Sequence, residues 1–226
     1  MEPLKLVAVS AGLSQPSSTR LLADRLAEAA RERLDDGSRT VEVRVVELRD
    51  LASDIAHNML TGFPAPALRE AVEAVTEADG LIAVTPVFTA SYSGLFKSFF
   101  DVIDNTALAA KPVLVAATGG TPRHSLVLDH AMRPLFSYLR ALVVPTGVYA
   151  ASEDWGGTEG AAGGGAGEGL HARIDRAAGE LALLVRGRGA GAGTDAVPGA
   201  GAGADAYDPD TVVPFEEQLA ALRPTG

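Results

Sequence analysis

Apolar residues change their period several times along this chain. Leu4-Lys5-Leu6-Val7-Ala8-Val9-Ser10 is a short, nearly continuous apolar run, which suits a strand covered on both faces. Between Thr19 and Leu34 the apolar positions Leu22, Leu26, Ala29, Ala30 and Leu34 recur at helical spacing with charges between them. Ser17, Ser18 and Thr19 stand just ahead of that helix as candidate N-caps. Residues 41–48 alternate Val41, Val43 and Val45 with Glu42 and Arg44, the pattern of a half-exposed edge strand. Residues 66–78 then read as a helix with proline in its first turn. The same reading predicts a strand over 80–85, a helix over 94–103, a strand over 112–118, a long helix over 124–142 and a fifth strand over 143–148.

Strictly alternating strands and helices imply a parallel sheet with helices on both faces, because parallel neighbours need crossover connections of one hand. Five strands in about 150 residues favour the strand order 2-1-3-4-5. The pattern changes after Trp155. Residues 156–169 and 187–205 are mostly Gly and Ala, which bury too little apolar area to offset their ordering entropy. The expected organisation is a domain over 1–155, a flexible insertion over 156–169, an added helix over 170–186, and a low-complexity tail over 187–226 with a short helix near 215–219.

Charge and composition remove several function classes. The formal net charge is -10 and the pI about 4.8, which argues against binding to nucleic acid or an anionic membrane. There is no cysteine, so thiol catalysis, thiolate metal sites and iron–sulfur clusters are excluded. The N-terminus runs almost directly into a strand without a secretory pattern, and no apolar run reaches a membrane-spanning length. A soluble cytoplasmic protein is the expectation.

Three loops carry candidate chemistry. The first, residues 10–20, joins the first strand to the first helix and holds five hydroxyls, Gly12 and Arg20. Backbone N–H groups at a helix start, together with hydroxyls, suit a phosphate dianion; the plainer reading is helix capping alone. The loop has neither a Walker A lysine nor Gly-x-Gly-x-x-Gly. The second is Thr85-Pro86-Val87-Phe88-Thr89-Ala90-Ser91-Tyr92-Ser93-Gly94, stiff backbone and an apolar wall suited to a flat heterocycle, or simply a strand end with a core aromatic. The third is Thr118-Gly119-Gly120-Thr121-Pro122-Arg123-His124, whose paired glycines allow close backbone approach or an ordinary turn. In the 2-1-3-4-5 order the strands that feed these loops are neighbours, so all three meet at the switch point of the sheet.

On these residues the chain resembles the NADPH-dependent FMN reductases of the flavodoxin-like superfamily. It is most similar to the branch that supplies reduced FMN to alkanesulfonate, methanesulfonate and other luciferase-like monooxygenases. The matching blocks are Val7-Ala8-Val9-Ser10 with Pro16-Ser17, Thr85-Pro86-Val87-Phe88 with Ser91-Tyr92-Ser93-Gly94-Leu95-Phe96-Lys97 and Asp101, and Ala117-Thr118-Gly119-Gly120-Thr121 with His124, Leu128-Asp129-His130, Arg133-Pro134-Leu135 and Gly147-Val148-Tyr149-Ala150. The likeness covers about residues 4–155. It implies a flavodoxin-like three-layer α/β sandwich and FMN and NADPH as cofactors. It also implies a partner flavin-dependent monooxygenase and a homodimer or homotetramer.

Carried over by position, the resemblance implies that Ser10, Ser17, Ser18 and Thr19 hold the FMN phosphate. Pro86, Val87, Phe88 and Thr89 would line the ring, and Thr118, Gly119, Gly120 and Thr121 its other edge. No metal and no catalytic side chain is implied, because the flavin carries the chemistry. Two residues depart from the family pattern. An arginine common in the phosphate loop is replaced by Gln15 or Ser18, with Arg20 as a candidate substitute, and a tyrosine in the proline loop is Phe88. The resemblance also sets a π-type bulge at His130 against a helix-face histidine at a subunit interface, and Asp129 and Arg133 are spaced to pair on the helix surface. The rival readings are a quinone or azo-compound reductase with tightly bound FMN, and a non-enzymatic flavodoxin-like electron carrier.

Overall fold

The computed structural model describes residues 2–37, 39–155 and 169–190. The described residues up to Gly187 form one compact unit. The expected insertion, apart from Gly169, and the expected tail beyond Ala190, with its short helix, lie outside the described residues.

The sheet is built on β1 (Leu4–Ser10), β2 (Val41–Glu47), β3 (Gly80–Phe88) and β5 (Pro112–Gly119), all parallel. Its order is β2-β1-β3-β5-β6, with β4 (Ser91–Tyr92) and β7 (Val148–Ala151) off that path and β6 at Leu142–Val143. The expected order 2-1-3-4-5 therefore holds, but the fifth strand is split. β6 pairs with Pro112 and Val113, and β7 with Ala116 to Gly119. Between them Pro145 brings no N–H to a ladder. Glu180 instead accepts from Thr146 N–H at 2.7 Å and from its hydroxyl at 2.8 Å, which pins the break.

Central strands must be apolar on both faces, and they are. Val7, Val9, Leu81, Ala83, Val113 and Val115 face one layer, packed on Leu68 and Val75 of α3 (Pro66–Glu77), on α4 (Gly94–Asp101) and on α5 (Arg133–Tyr138). Leu6, Ala8, Ile82, Val84, Leu114 and Ala116 face the other layer, packed on Leu22, Leu26 and Ala30 of α1 (Ser18–Leu34) and on Ile174, Leu181 and Val185 of α6 (Leu170–Ala190). The first layer is centred on an aromatic cluster: Phe100 lies 4.8 Å from Phe96 and 5.0 Å from Phe136, ring centre to ring centre. Truncating one such buried ring to alanine costs about 3–5 kcal/mol. Lys111 is buried, yet its ammonium is satisfied by the Thr76 carbonyl at 3.1 Å and by that of Ala78 at the end of α3.

Two further expected elements differ. The helix expected over 124–142 is three pieces: a tight turn over Pro122–His124, a π turn over Leu128–Met132, and α5. Pro134 has no N–H to give and its ring crowds the preceding turn, so the turn widens and Arg133 N–H bonds to the Leu128 carbonyl. Helix α5 stops early because Arg140 takes a left-handed φ of 57° and Ala141 N–H closes on the Phe136 carbonyl at 2.9 Å. The second difference is β3, which continues past Pro86 to Phe88 because β4 folds back onto it as a hairpin. Helix α2 (Ala52–Thr61) has no counterpart in the sequence pattern, since Ile55 is its one buried residue.

Candidate functional site

Three loops meet at the carboxyl end of the sheet. β3 is hydrogen-bonded between β1 and β5, with Ser10 in register with Val84 and Pro86 with Thr118. The first loop leaves β1 at Ser10, and its first residue, Ala11, donates to the Val84 carbonyl at 3.0 Å. Its far end is the start of α1, where Ser17 caps the helix by accepting from Arg20 N–H at 3.2 Å. A Cβ at Gly12 would lie 2.0 Å from the Ser17 hydroxyl oxygen, so this close approach requires glycine. The first turn of α1 carries no acidic side chain, and its leading N–H groups have no helical acceptor. Ser10 is 1% exposed and its hydroxyl has no partner. A buried hydroxyl without a partner is costly unless something else supplies the bond.

The hydroxyl of Thr19, on the first turn of α1, is 2.8 Å from that of Thr118 at the end of β5. Both residues are buried, and the bond ties the first loop to the third. Ser17 and Ser18 stand at the solvent side of this junction, and Thr19 faces inward to Thr118. The second loop turns at Thr89 and Ala90, which both take left-handed φ values of 48° and 66°. This is the conformation a two-residue hairpin demands, held here without glycine and at a cost of the order of 1 kcal/mol for each residue. Thr85 steadies the hairpin: its hydroxyl accepts from Ser93 N–H at 3.0 Å and donates to the Pro86 carbonyl at 3.0 Å. Phe88 stands 47% exposed at the tip, so it is not a core aromatic.

In the third loop Tyr149 of β7 donates its hydroxyl to the Thr121 carbonyl at 2.7 Å. A Cβ at Gly119 would lie 2.1 Å from that hydroxyl oxygen, so Gly119 is the space Tyr149 occupies. Burial, with the charge of Asp154 second, raises the Tyr149 pKa, so the phenol stays a donor further into the alkaline range. A Cβ at Gly120 would meet nothing within 4 Å. The third loop thus leaves open space at Gly120.

Arg20, the candidate substitute for the family's phosphate-loop arginine, is spent elsewhere. Its guanidinium donates to Asp24 at 2.8 Å and to Glu47 at 2.6 Å. A different arginine reaches the loop. Arg49, in the tight turn over Leu48–Leu51, donates to the Ser14 carbonyl at 3.4 Å and, with the Gln15 amide turned so that its oxygen faces the guanidinium, to Gln15 as well. The sequence did not single out Arg49, and it gave Tyr149 only within a matching block and not as a site residue, because both act on loops that lie far from them in the chain. His130 sits in the π turn, on the wall of a cleft of about 610 Å³ that also includes Tyr92, Lys97, Asp101 and Tyr138. That cleft flanks the hairpin rather than the junction of the three loops. Asp129 and Arg133 pair at 2.8 Å, and Arg133 also holds the Val144 carbonyl at 2.9 Å.

Residues 4–156 match the family model described as NADPH-dependent FMN reductase. The chain belongs to that family. It is an FMN reductase, an oxidoreductase that works with FMN and a reduced nicotinamide nucleotide. An FMN reductase (NADPH) of Pseudomonas aeruginosa is 40% identical over 186 residues, spanning 82% of this chain and 95% of that protein. An NADH-dependent FMN reductase SfnF of Pseudomonas fluorescens is 45% identical over 155 residues, spanning 68% and 79%. Among solved structures, an oxidoreductase from Corynebacterium diphtheriae superposes with a TM-score of 0.76 at 48% identity, covering 83% of this chain and 99% of its own. A flavodoxin from the domain Archaea, at 12% identity and a TM-score of 0.53, shows the fold alone as flavodoxin-like. No described helix of the reductase is long and apolar enough to cross a membrane.

The three-loop junction fits FMN on its own chemistry. A phosphate would satisfy the Ser10 hydroxyl and the open N–H groups of α1, where no carboxylate opposes it. A flat ring would need a wall and a gap without side chains; Phe88 is an exposed aromatic and Gly120 faces open space.

Proposed function

We propose that the chain transfers hydride from NADPH to FMN at the three-loop junction and passes reduced FMN to a flavin-dependent monooxygenase. FMN supplies the redox chemistry when bound; the chain's residues bind it, orient it and limit water. Ser10, Ser17, Ser18 and Thr19, with the first N–H groups of α1, hold the phosphate. Pro86, Val87, Phe88 and Thr89 form the wall for the ring. Thr118, Gly119, Gly120 and Thr121 present backbone N–H groups to its polar edge, where they favour the added negative charge of the reduced state. Thr19 and Thr118 also bond each other, so their part is to lock the phosphate side to the ring side.

The observation that carries this reading is the Thr19–Thr118 hydroxyl bond, which couples the two outer loops across the end of the sheet at 2.8 Å. The names of the Pseudomonas relatives divide between NADPH and NADH, so the preference for NADPH is part of the proposal. The partner is a monooxygenase that consumes free reduced flavin, and the assembly is a cytoplasmic homo-oligomer. Tyr138, 71% exposed beside the His130 cleft, supports a covered flank.

The test is nicotinamide oxidation by NADPH and by NADH, each with FMN, FAD, riboflavin or no added flavin. Turnover that rises with added FMN is expected, with NADPH the better donor. Turnover with a quinone or azo acceptor, by protein that stays yellow through gel filtration and ignores added FMN, would mean a reductase with resident flavin. No turnover by folded protein would leave an electron carrier and overturn the proposal.

A further inference from the structure

We propose that Arg49 is a positioning residue for the phosphate loop and acts through Gln15. The inference rests on the reading that the first loop takes the FMN phosphate. Loop residues 13–16 are exposed and belong to no helix or strand. Among the described residues, the side-chain hydrogen bonds that reach them come from Arg49. Its Nη1 donates to the Ser14 carbonyl at 3.4 Å. With the Gln15 amide turned so that its oxygen faces the guanidinium, that oxygen accepts from Nη1 at 2.7 Å and from Nη2 as well.

Arg49 is itself held from behind. Its side chain is 18% exposed, and its Nε lies 3.4 Å from the carboxylates of both Glu47 and Asp50. Those approaches are ion pairs without hydrogen-bond geometry, which leaves the buried Nε unbonded. The other oxygen of Glu47 accepts from Arg20 at 2.6 Å, and Arg20 bonds Asp24 one turn further along α1. A continuous path therefore runs from α1, through the end of β2, to the tip of the loop. Loop and helix start are braced against each other through the edge strand.

The geometry decides between two roles. If Arg49 were a direct phosphate ligand, its outer N–H groups would be free. They are instead engaged by Ser14 and Gln15, and Glu47 and Asp50 offset its charge. What the bonds accomplish is orientation. They draw a loop carbonyl and the Gln15 oxygen back toward the edge strand, so these acceptors do not face an anion at the α1 N-terminus. An acceptor turned toward a phosphate would repel it, and a loop free to turn would lose the ordering that makes the N–H groups useful.

The experiment compares FMN with riboflavin, which lacks the phosphate, by flavin fluorescence titration of the wild type, Arg49→Met, Gln15→Ala and the double variant. Wild-type protein binds FMN more tightly than riboflavin. Arg49→Met is expected to weaken FMN by about tenfold, the loss of a charge-assisted contact, with riboflavin altered by less than about twofold. Gln15→Ala does the same, and the double variant is no worse than Arg49→Met, because both changes cut one path. Equal weakening of FMN and riboflavin would mark Arg49 as merely structural. Additive losses in the double variant would make it an independent ligand, and unchanged FMN affinity would remove any role; each overturns the proposal. Should Arg49→Met fail to fold, Gln15→Ala decides by the same split. A wild type that does not distinguish FMN from riboflavin overturns the phosphate reading itself, before any variant is compared.

Discussion

Gly119 and Tyr149 occupy one space, so substitutions at the two positions must be strongly coupled. Alanine at 119 would place its Cβ 2.1 Å from the Tyr149 hydroxyl oxygen, and the next atom of the ring is 3.1 Å away. The oxygen has to leave, which breaks its 2.7 Å bond to the Thr121 carbonyl. The overpacking and the lost bond together cost about 1–3 kcal/mol in Gly119→Ala. Tyr149→Phe removes the bond alone, for about 1 kcal/mol. It also removes the atom that clashes. The ring carbon left at 3.1 Å has to yield by only a few tenths of an ångström. The double variant Gly119→Ala/Tyr149→Phe should therefore be about as stable as Tyr149→Phe, well above the sum of the single losses. Urea denaturation gives the three differences, and in a domain of this size each 1 kcal/mol moves Tm by about 2–4 °C. FMN-stimulated turnover should fall in both single variants, because the Thr121 backbone loses its anchor, and should not recover in the double variant. Additive stability losses would refute the reasoning, since they would mean that Gly119 and Tyr149 do not share that space.

Gly120→Val should fold normally, because its Cβ enters open space, yet reduce FMN affinity by an order of magnitude or more; circular dichroism and flavin titration separate the two effects. Thr19→Val leaves the buried Thr118 hydroxyl unpaired and should cost about 1–3 kcal/mol, with Thr19→Val/Thr118→Val less destabilised than the sum; a thermal melt that shows no loss would refute the bond. The raised pKa of Tyr149 makes the folded state hold its phenol proton more tightly than the unfolded chain does. That contribution is whole below the ordinary tyrosine value of about 10 and is lost as pH rises through the folded pKa, so Tyr149→Phe should flatten the alkaline fall in stability measured by urea unfolding.

How legible each part was depends on what signals it. β1, β3 and β5 stood out because strands buried on both faces must be apolar at nearly every position, and α1 because one stripe of it faces the sheet. Helix α2 left no such trace, since its packing buries little beyond Ile55. The break of the expected long helix was written at Pro134, but a proline also fits inside a first turn, and only Arg133 closing on Leu128 identifies the π turn. The split fifth strand depends on Glu180 holding Thr146 from another element, which no local pattern reveals. Phe88 read as a ring wall, with a core aromatic as the plainer alternative, until the hairpin left it 47% exposed.

By itself the sequence determined the order of the main strands and of the helices that pack on them, and with it the sheet order that brings three loops to one end. Period and loop chemistry are local, and crossover handedness leaves few topologies open. It also determined what the site cannot be, because a chain with no cysteine has no thiol chemistry. Only the tertiary structure decided which residues support the loops. Arg20 was near in sequence but is spent on Asp24 and Glu47, and Arg49 and Tyr149 were remote but bond the loops directly. A hydrogen bond depends on distance in space, and at the end of a parallel sheet residues far apart in the chain become neighbours.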